Sequence, residues 1–120
     1  MTIQWNGEAP IYIQFYQQVI TRILDGNIKE GEALPSVRKV AAEYQLNPLT
    51  ISKAYQMLQE EHYVEKQRGK GLFVKSGASN NILEKQRGAF LSTEWPQILQ
   101  KISRLKLTFD DLPRTTLENK

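Results

Sequence analysis

Apolar positions along this chain recur at helical spacing three times, switch to a short hairpin pattern, and then return to helical spacing. Behind Pro10, the residues Ile11, Phe15, Val19 and Ile23 repeat every four positions, flanked by Tyr12, Tyr16, Ile20 and Leu24. They predict a first helix that stops at Gly26 or Asn27. Gly31 and Pro35 bracket a loop. Val37, Val40, Ala41 and Tyr44 then form the inward stripe of a second helix. Ser36 is its N-cap, the hydroxyl accepting from an otherwise unpaired backbone N–H; Lys39 at the third helical position leaves the capping box incomplete. Gln45-Leu46 makes a turn. Asn47 caps a third helix and Pro48 takes its first position, where a missing N–H costs nothing. Ile51, Ala54, Tyr55 and Leu58 recur at i, i+3, i+4 and i+7, so this helix has one buried face.

Tyr63-Val64-Glu65-Lys66 and Leu72-Phe73-Val74-Lys75 read as two strands of a hairpin around the loop Gln67-Arg68-Gly69-Lys70-Gly71. Its glycines permit positive φ and close backbone approach. Lys75 to Asn81 is small and polar and reads as a linker. Beyond it, Ile82, Leu83, Phe90, Leu91, Trp95, Ile98, Leu99, Ile102 and Leu105 dominate a mostly helical tail. Pro96 predicts a kink or break there, since it removes a hydrogen bond and disfavours α geometry at Trp95. Thr108 with Asp111 three residues on predicts a last short helix, Phe109 to about Leu117.

The outer face of the third helix carries Leu49, Thr50, Ser52, Lys53 and Gln56, side chains of the kinds that meet base edges and phosphates. An ordinary solvated face would look similar in isolation. The order of elements decides the reading: two short helices followed by a hairpin with Arg68 and Lys70 at its tip describe a winged helix-turn-helix, which places a helix in the DNA major groove. Arg38, at the start of the second helix, lies beside that groove. The expected fold class is therefore mainly α with a small β-hairpin: a winged helix-turn-helix domain over residues 1–75 and a helical dimerisation tail over 76–120.

Charge agrees with this picture without deciding it. The chain of 120 residues carries a formal charge of +3 at pH 7, and seven Lys or Arg against four Glu fall between Ser36 and Lys75. With no cysteine, disulfides, thiolate metal sites and a cysteine nucleophile are excluded. No apolar run approaches the roughly 18–20 residues of a membrane span, and the amino terminus lacks the basic and apolar regions of a signal peptide. A soluble, cytoplasmic protein without cofactor or metal is expected.

Leu34-Pro35-Ser36-Val37-Arg38, Asn47-Pro48-Leu49-Thr50, Ala54-Tyr55, Leu58 and Arg68-Gly69-Lys70-Gly71-Leu72-Phe73-Val74 resemble the GntR family of bacterial transcription regulators. The opening Pro10-Ile11-Tyr12-Ile13-Gln14-Phe15 and the short helical tail resemble its YtrA-type branch. The resemblance implies a third helix in the major groove, a wing tip in the minor groove, and a dimer on an inverted repeat. It implies DNA contacts for Ser36 and Arg38, for Asn47, Thr50 and Ser52, and for Gly69, beside the Leu49, Lys53, Arg68 and Lys70 read from the residues themselves. The sequence departs from the family pattern at His62 and Lys106, which replace glycines, and at Leu72, which replaces a threonine.

A DNA-binding regulator, a repressor acting as a homodimer on double-stranded DNA, is therefore the expected function. Phe90, Leu91, Trp95, Ile98, Leu99, Ile102 and Leu112 are the expected dimerisation residues, because the tail cannot bury that much apolar surface alone. The rival reading is a winged-helix protein–protein module without DNA binding; cations at Arg38, Lys53, Arg68 and Lys70 speak against it. An enzyme finds no support: there is no nucleophile–base pair, metal-ligand cluster or phosphate loop. A small-molecule effector is left open, the tail offering little volume for a pocket.

Overall fold

The computed structural model describes residues 5–114. They form α1 (Ile11–Leu24), α2 (Val37–Tyr44), α3 (Pro48–Glu60), the hairpin strands β1 (Val64–Gln67) and β2 (Gly71–Val74), α4 (Ala78–Ala89), a π-helical turn (Phe90–Glu94), α5 (Trp95–Arg104) and a 3-10 turn (Phe109–Asp111). Two compact units divide the chain after Glu84.

In the first unit the core collects around α3, whose Ile51, Ala54 and Leu58 are wholly buried. Phe15, Val19, Ile20 and Ile23 from α1, Val40 and Ala41 from α2, and Tyr63, Val64 and Val74 from the hairpin complete it. Burying a large aliphatic or aromatic side chain contributes about 1.5–3 kcal/mol, so the helical spacing seen in the sequence is also the main source of stability. Ile11, Val37 and Tyr44, expected on inward stripes, are half-buried because they lie at helix ends. Gln14 is buried: its side chain accepts from Asn6 N–H at 2.9 Å and donates to Ala9 C=O at 2.6 Å, holding the segment before α1.

The strands pair antiparallel, Val64 with Val74 through Gln67 with Gly71. The loop before α2 joins them unexpectedly. Gly31 N–H donates to Val74 C=O, Val74 N–H to Glu32 C=O and Leu34 N–H to Leu72 C=O, at 2.8, 2.9 and 2.8 Å. A β-bridge pairs Ala33 with Phe73. β2 is thus paired on both edges, which ties the hairpin to the entrance of α2.

Residues 75–81 differ from the linker expected of them. α4 begins at Ala78, and Ala78 and Ile82 are buried in the core of the first unit. Small polar composition marked a loop, but two apolar residues four apart are enough to dock one helical turn. In the second unit Pro96 breaks nothing: Glu94 and Trp95 keep right-handed helical backbone. The preceding turn widens instead, Trp95 N–H bonding back five residues to Phe90 C=O. A proline ring clashes with the carbonyl four residues earlier in a regular α-turn, and a π-turn moves that carbonyl away. The expected last helix is a single 3-10 turn. Asp111 accepts from Thr108 N–H at 2.8 Å as predicted for a cap, but Leu112 is already extended, because the residue before Pro113 disfavours α geometry. The rest of that expectation, residues 115–117, lies outside the described residues.

Three helices end in the same left-handed device. After α1, Asn27 N–H bonds to Arg22 C=O and Gly26 N–H to Ile23 C=O; after α3, Tyr63 bonds to Leu58 and His62 to Gln59; after α5, Leu107 bonds to Ile102 and Lys106 to Ser103. These are Schellman motifs, which need one residue at positive φ. Gly26 supplies it at 84°, whereas His62 and Lys106 adopt 65° and 58°. Gln45 ends α2 at 55° as well.

A side chain with a Cβ costs roughly 1–2 kcal/mol in this conformation, against roughly 0.5–1 kcal/mol of extra chain entropy for glycine. His62→Gly should therefore raise stability by about 0.5–1 kcal/mol in urea denaturation; a lowered midpoint would contradict this account of the turn.

Candidate nucleic-acid interface

Three features of the first unit place the candidate residues. The first is the start of α2. Ser36 caps it as expected, its Oγ accepting from Lys39 N–H at 3.1 Å. Arg38, two residues on, is exposed. The loop before it is anchored from α3: the buried Tyr55 hydroxyl donates to Pro35 C=O at 2.8 Å. Burial raises the Tyr55 phenol above its ordinary pKa, so it stays protonated and keeps that donor.

The second feature is α3 itself. Asn47 Oδ1 accepts from Leu49 N–H at 2.9 Å, with Pro48 following at the first helical position. The Asn47 amide NH2 remains available as a donor toward a phosphate or base. Because Ile51, Ala54, Tyr55 and Leu58 face the core, the 3.6-residue period turns Leu49, Ser52, Lys53 and Gln56 outward, and all four are exposed. Thr50 is half-buried on the flank. Leu49 is 71% exposed. An apolar tip at the start of a helix that otherwise presents polar groups suits a thymine methyl in the major groove.

The third feature is the wing. Lys70 N–H donates to Gln67 C=O at 2.9 Å, closing a turn in which Gly69 holds the left-handed position at φ 73°. Arg68, Gly69 and Lys70 are all exposed at the tip. A Cβ on Gly69 would meet nothing within 4 Å, so its glycine is required by conformation, not by crowding. The ten residues expected to touch DNA thus divide into the α2 start, the outer face of α3 and the wing tip.

α1 braces α3 from its middle to its end. Lys53 Nζ stands 4.6 Å from the Tyr12 ring centroid, the Phe15 and Tyr55 rings pack with centroids 6.0 Å apart, and the Tyr16 hydroxyl donates to the Glu61 carboxylate. Burial first, and then the Glu61 carboxylate, raise the Tyr16 phenol above its ordinary pKa. Tyr12 was legible in the sequence only as a flanking aromatic; no spacing within α1 could reveal a contact made across two helices. A cavity of about 310 Å³ opens between α1, α2 and the loop before α2, lined by Phe15, Val19, Leu34, Val40, Tyr44 and Tyr55 among others. Among the described residues no group of acidic or histidine side chains could hold a metal ion, and no helix is long and apolar enough to cross a membrane.

In the second unit, the expected dimerisation residues split by exposure. Phe90, Leu91, Ile98 and Leu99 are exposed, while Trp95, Ile102 and Leu112 are half-buried. The Phe90 and Trp95 rings lie 6.3 Å apart. Leu105, Leu107 and Phe109 are also exposed and were not among the expected set. Trp95, Ile98, Ile102 and Leu105 recur at spacings of three, four and three residues, a coiled-coil-like seam.

The family model of bacterial regulatory proteins, gntR family, matches residues 11–74. The chain is 41% identical over 79 residues to the HTH-type transcriptional repressor YtrA of Bacillus subtilis, a match covering 66% of this chain and 61% of that protein. It is 28% identical over 112 residues to the uncharacterized HTH-type transcriptional regulator YhcF of the same organism, covering 93% and 91%. Among solved structures, YtrA from Sulfolobus acidocaldarius, a GntR-family transcription factor, superposes with a TM-score of 0.63 at 31% identity, covering 88% of this chain and 95% of that one.

The two caps and the exposed Arg38 should differ in what they contribute to folding. Ser36→Ala and Asn47→Ala should each cost about 0.5–2 kcal/mol of folding stability. Arg38→Ala, an exposed change, should stay within about 0.5 kcal/mol of wild type. Thermal or urea unfolding of the three variants checks the contrast.

Proposed function

The chain belongs to the gntR family of bacterial regulatory proteins, a family of transcription regulators with a winged helix-turn-helix, and from that premise we propose that it is a cytoplasmic repressor binding an inverted-repeat operator as a homodimer. The observation that carries the reading is the bare outer face of α3. A helix held on one side by a buried core presents Leu49, Ser52, Lys53 and Gln56 on the other, flanked by exposed Arg38 and the exposed wing tip. In this reading α3 lies in the major groove, with Thr50 at its flank, Ser36 and Asn47 meet the backbone beside it, and Arg68, Gly69 and Lys70 reach the adjacent minor groove or its phosphates. The head reads DNA and the apolar tail beyond Glu84 dimerises, residues 76–84 of the expected tail belonging to the head. YtrA of Bacillus subtilis is named a repressor, which supports the direction of regulation.

Operator geometry and apolar surface both support a dimer in this reading. Two half-sites one helical turn apart, about 34–36 Å, require two recognition helices in a fixed relation. Phe90, Leu91, Trp95, Ile98, Leu99, Ile102 and Leu112 supply a surface that a symmetric partner would cover twice.

Selection of DNA from random duplexes by the purified protein tests the proposal: a half-site repeated with two-fold symmetry is expected, and retention of no sequence would refute it. On the selected operator, Arg38→Ala should weaken binding by about 1–3 kcal/mol in gel-shift titration at fixed salt. Ile98→Asp combined with Ile102→Asp should yield monomers with a folded head and poor operator binding, read by analytical ultracentrifugation and far-UV circular dichroism. A double variant that stays dimeric would move the interface off α5.

A further inference from the structure

Lys53 is the one cation on the outer face of α3, and it is not left to sweep through solvent. Its ammonium lies 4.6 Å from the centroid of the Tyr12 ring, contributed by the second residue of α1. On α3 itself the positions three and four residues away are Leu49, Thr50, Gln56 and Met57, so the helix offers Lys53 no carboxylate at the spacing where side chains meet. The ring takes the place that an acidic partner occupies on many helices, with a different consequence. A carboxylate would orient the ammonium and cancel its charge. An aromatic face attracts the ammonium through its quadrupole while carrying no net charge, and the ammonium's three N–H donors allow one side to meet the ring while others meet a phosphate.

We propose that Tyr12 is a positioning residue for DNA binding: its ring holds the Lys53 ammonium at the edge of the recognition surface with the charge intact, so that less side-chain freedom is lost when a phosphate is engaged. The proposal rests on the DNA-binding reading above. It assigns the first helix a role in affinity beyond its place in the core. It also separates the two tyrosines one turn apart on α1: Tyr16 bonds through its hydroxyl to Glu61, while Tyr12 acts through its ring face.

The test is a double-variant cycle on an operator selected by the wild-type protein, with affinity measured by fluorescence anisotropy at fixed salt. Lys53→Met should lower affinity and reduce the slope of log K against log salt by about 0.9, the value of one phosphate contact. Tyr12→Phe, which keeps the ring, should bind like wild type. Tyr12→Leu should weaken binding about two- to fivefold, the range of an exposed cation–π contact. In the Lys53→Met background Tyr12→Leu should then have no further effect, an outcome that loss of packing alone would not produce. Equal losses from Tyr12→Leu in both backgrounds, or a loss from Tyr12→Phe, would overturn the proposal. A further readout needs no substitution at Tyr12: the Lys53 ε-methylene protons of the unbound wild-type protein should resonate upfield of ordinary lysine values under the ring current, and ordinary shifts would overturn the contact even if Tyr12→Leu failed to fold. Wild-type protein that selects no DNA overturns the DNA-binding reading itself, and this proposal with it; wild-type binding with an unchanged Tyr12→Leu variant overturns only the role of Tyr12.

Discussion

The packing of α1 against α3 is the constraint from which the rest of the head follows. A recognition helix must be rigid and yet bare on the side that meets its ligand, so all of its restraint has to come from the opposite face. Ile51, Ala54 and Leu58 give up all exposure, and α1 supplies contacts at the middle and the end of α3, through Tyr12 and Phe15 and through Tyr16. Tyr55 carries the restraint onward, because its hydroxyl holds the carbonyl of Pro35 and so locates the first turn of α2. One buried phenol thus joins the core packing of α2 and the pairing of residues 31–34 in setting the position of Ser36 and Arg38 relative to the outer face of α3.

The hairpin depends on the same core. Tyr63, Val64 and Val74 are buried in it, and the extra pairing of residues 31–34 with β2 anchors the base of a two-stranded ribbon that would be marginal alone. The exit from α3 sets where that base begins. It turns through a left-handed His62, with buried Tyr63 and buried Leu58 bracketing the reversal, the apolar contact that accompanies this type of helix end. Using histidine and lysine where glycine would be easier stores a small strain at each reversal.

The second unit follows a different rule. Its apolar side chains fall at coiled-coil-like spacing along α5, and several are exposed in a single chain. A row of that kind is unfavourable in water unless something covers it. Pro96 sits within this stretch at a widened turn, so helical geometry continues and Trp95 keeps its place in the same row as Ile98 and Ile102.

Periodicity, caps and turn residues are local properties, and they were legible in the chain by itself. The helix starts at Pro10, Ser36 and Asn47, the inward stripe of α3, the outward set Leu49, Ser52 and Lys53, and the glycine turn of the wing all follow from backbone sterics and the 3.6-residue repeat. The positive-φ demand on His62 and Lys106 came instead through the family resemblance, as a departure from its glycines. What depended on distant residues was not legible. The pairing of residues 31–34 with β2 needs the hairpin in place, and the docking of Ala78 and Ile82 needs a core to receive them. The contact of Lys53 with Tyr12 joins residues 41 positions apart in the chain, and only the packing of two helices could bring an ammonium onto a ring. The sequence by itself therefore determined which face of α3 is bare, because that is a matter of period; tertiary structure alone decided what steadies the cation on that face, because that is a matter of which helix lies beside it.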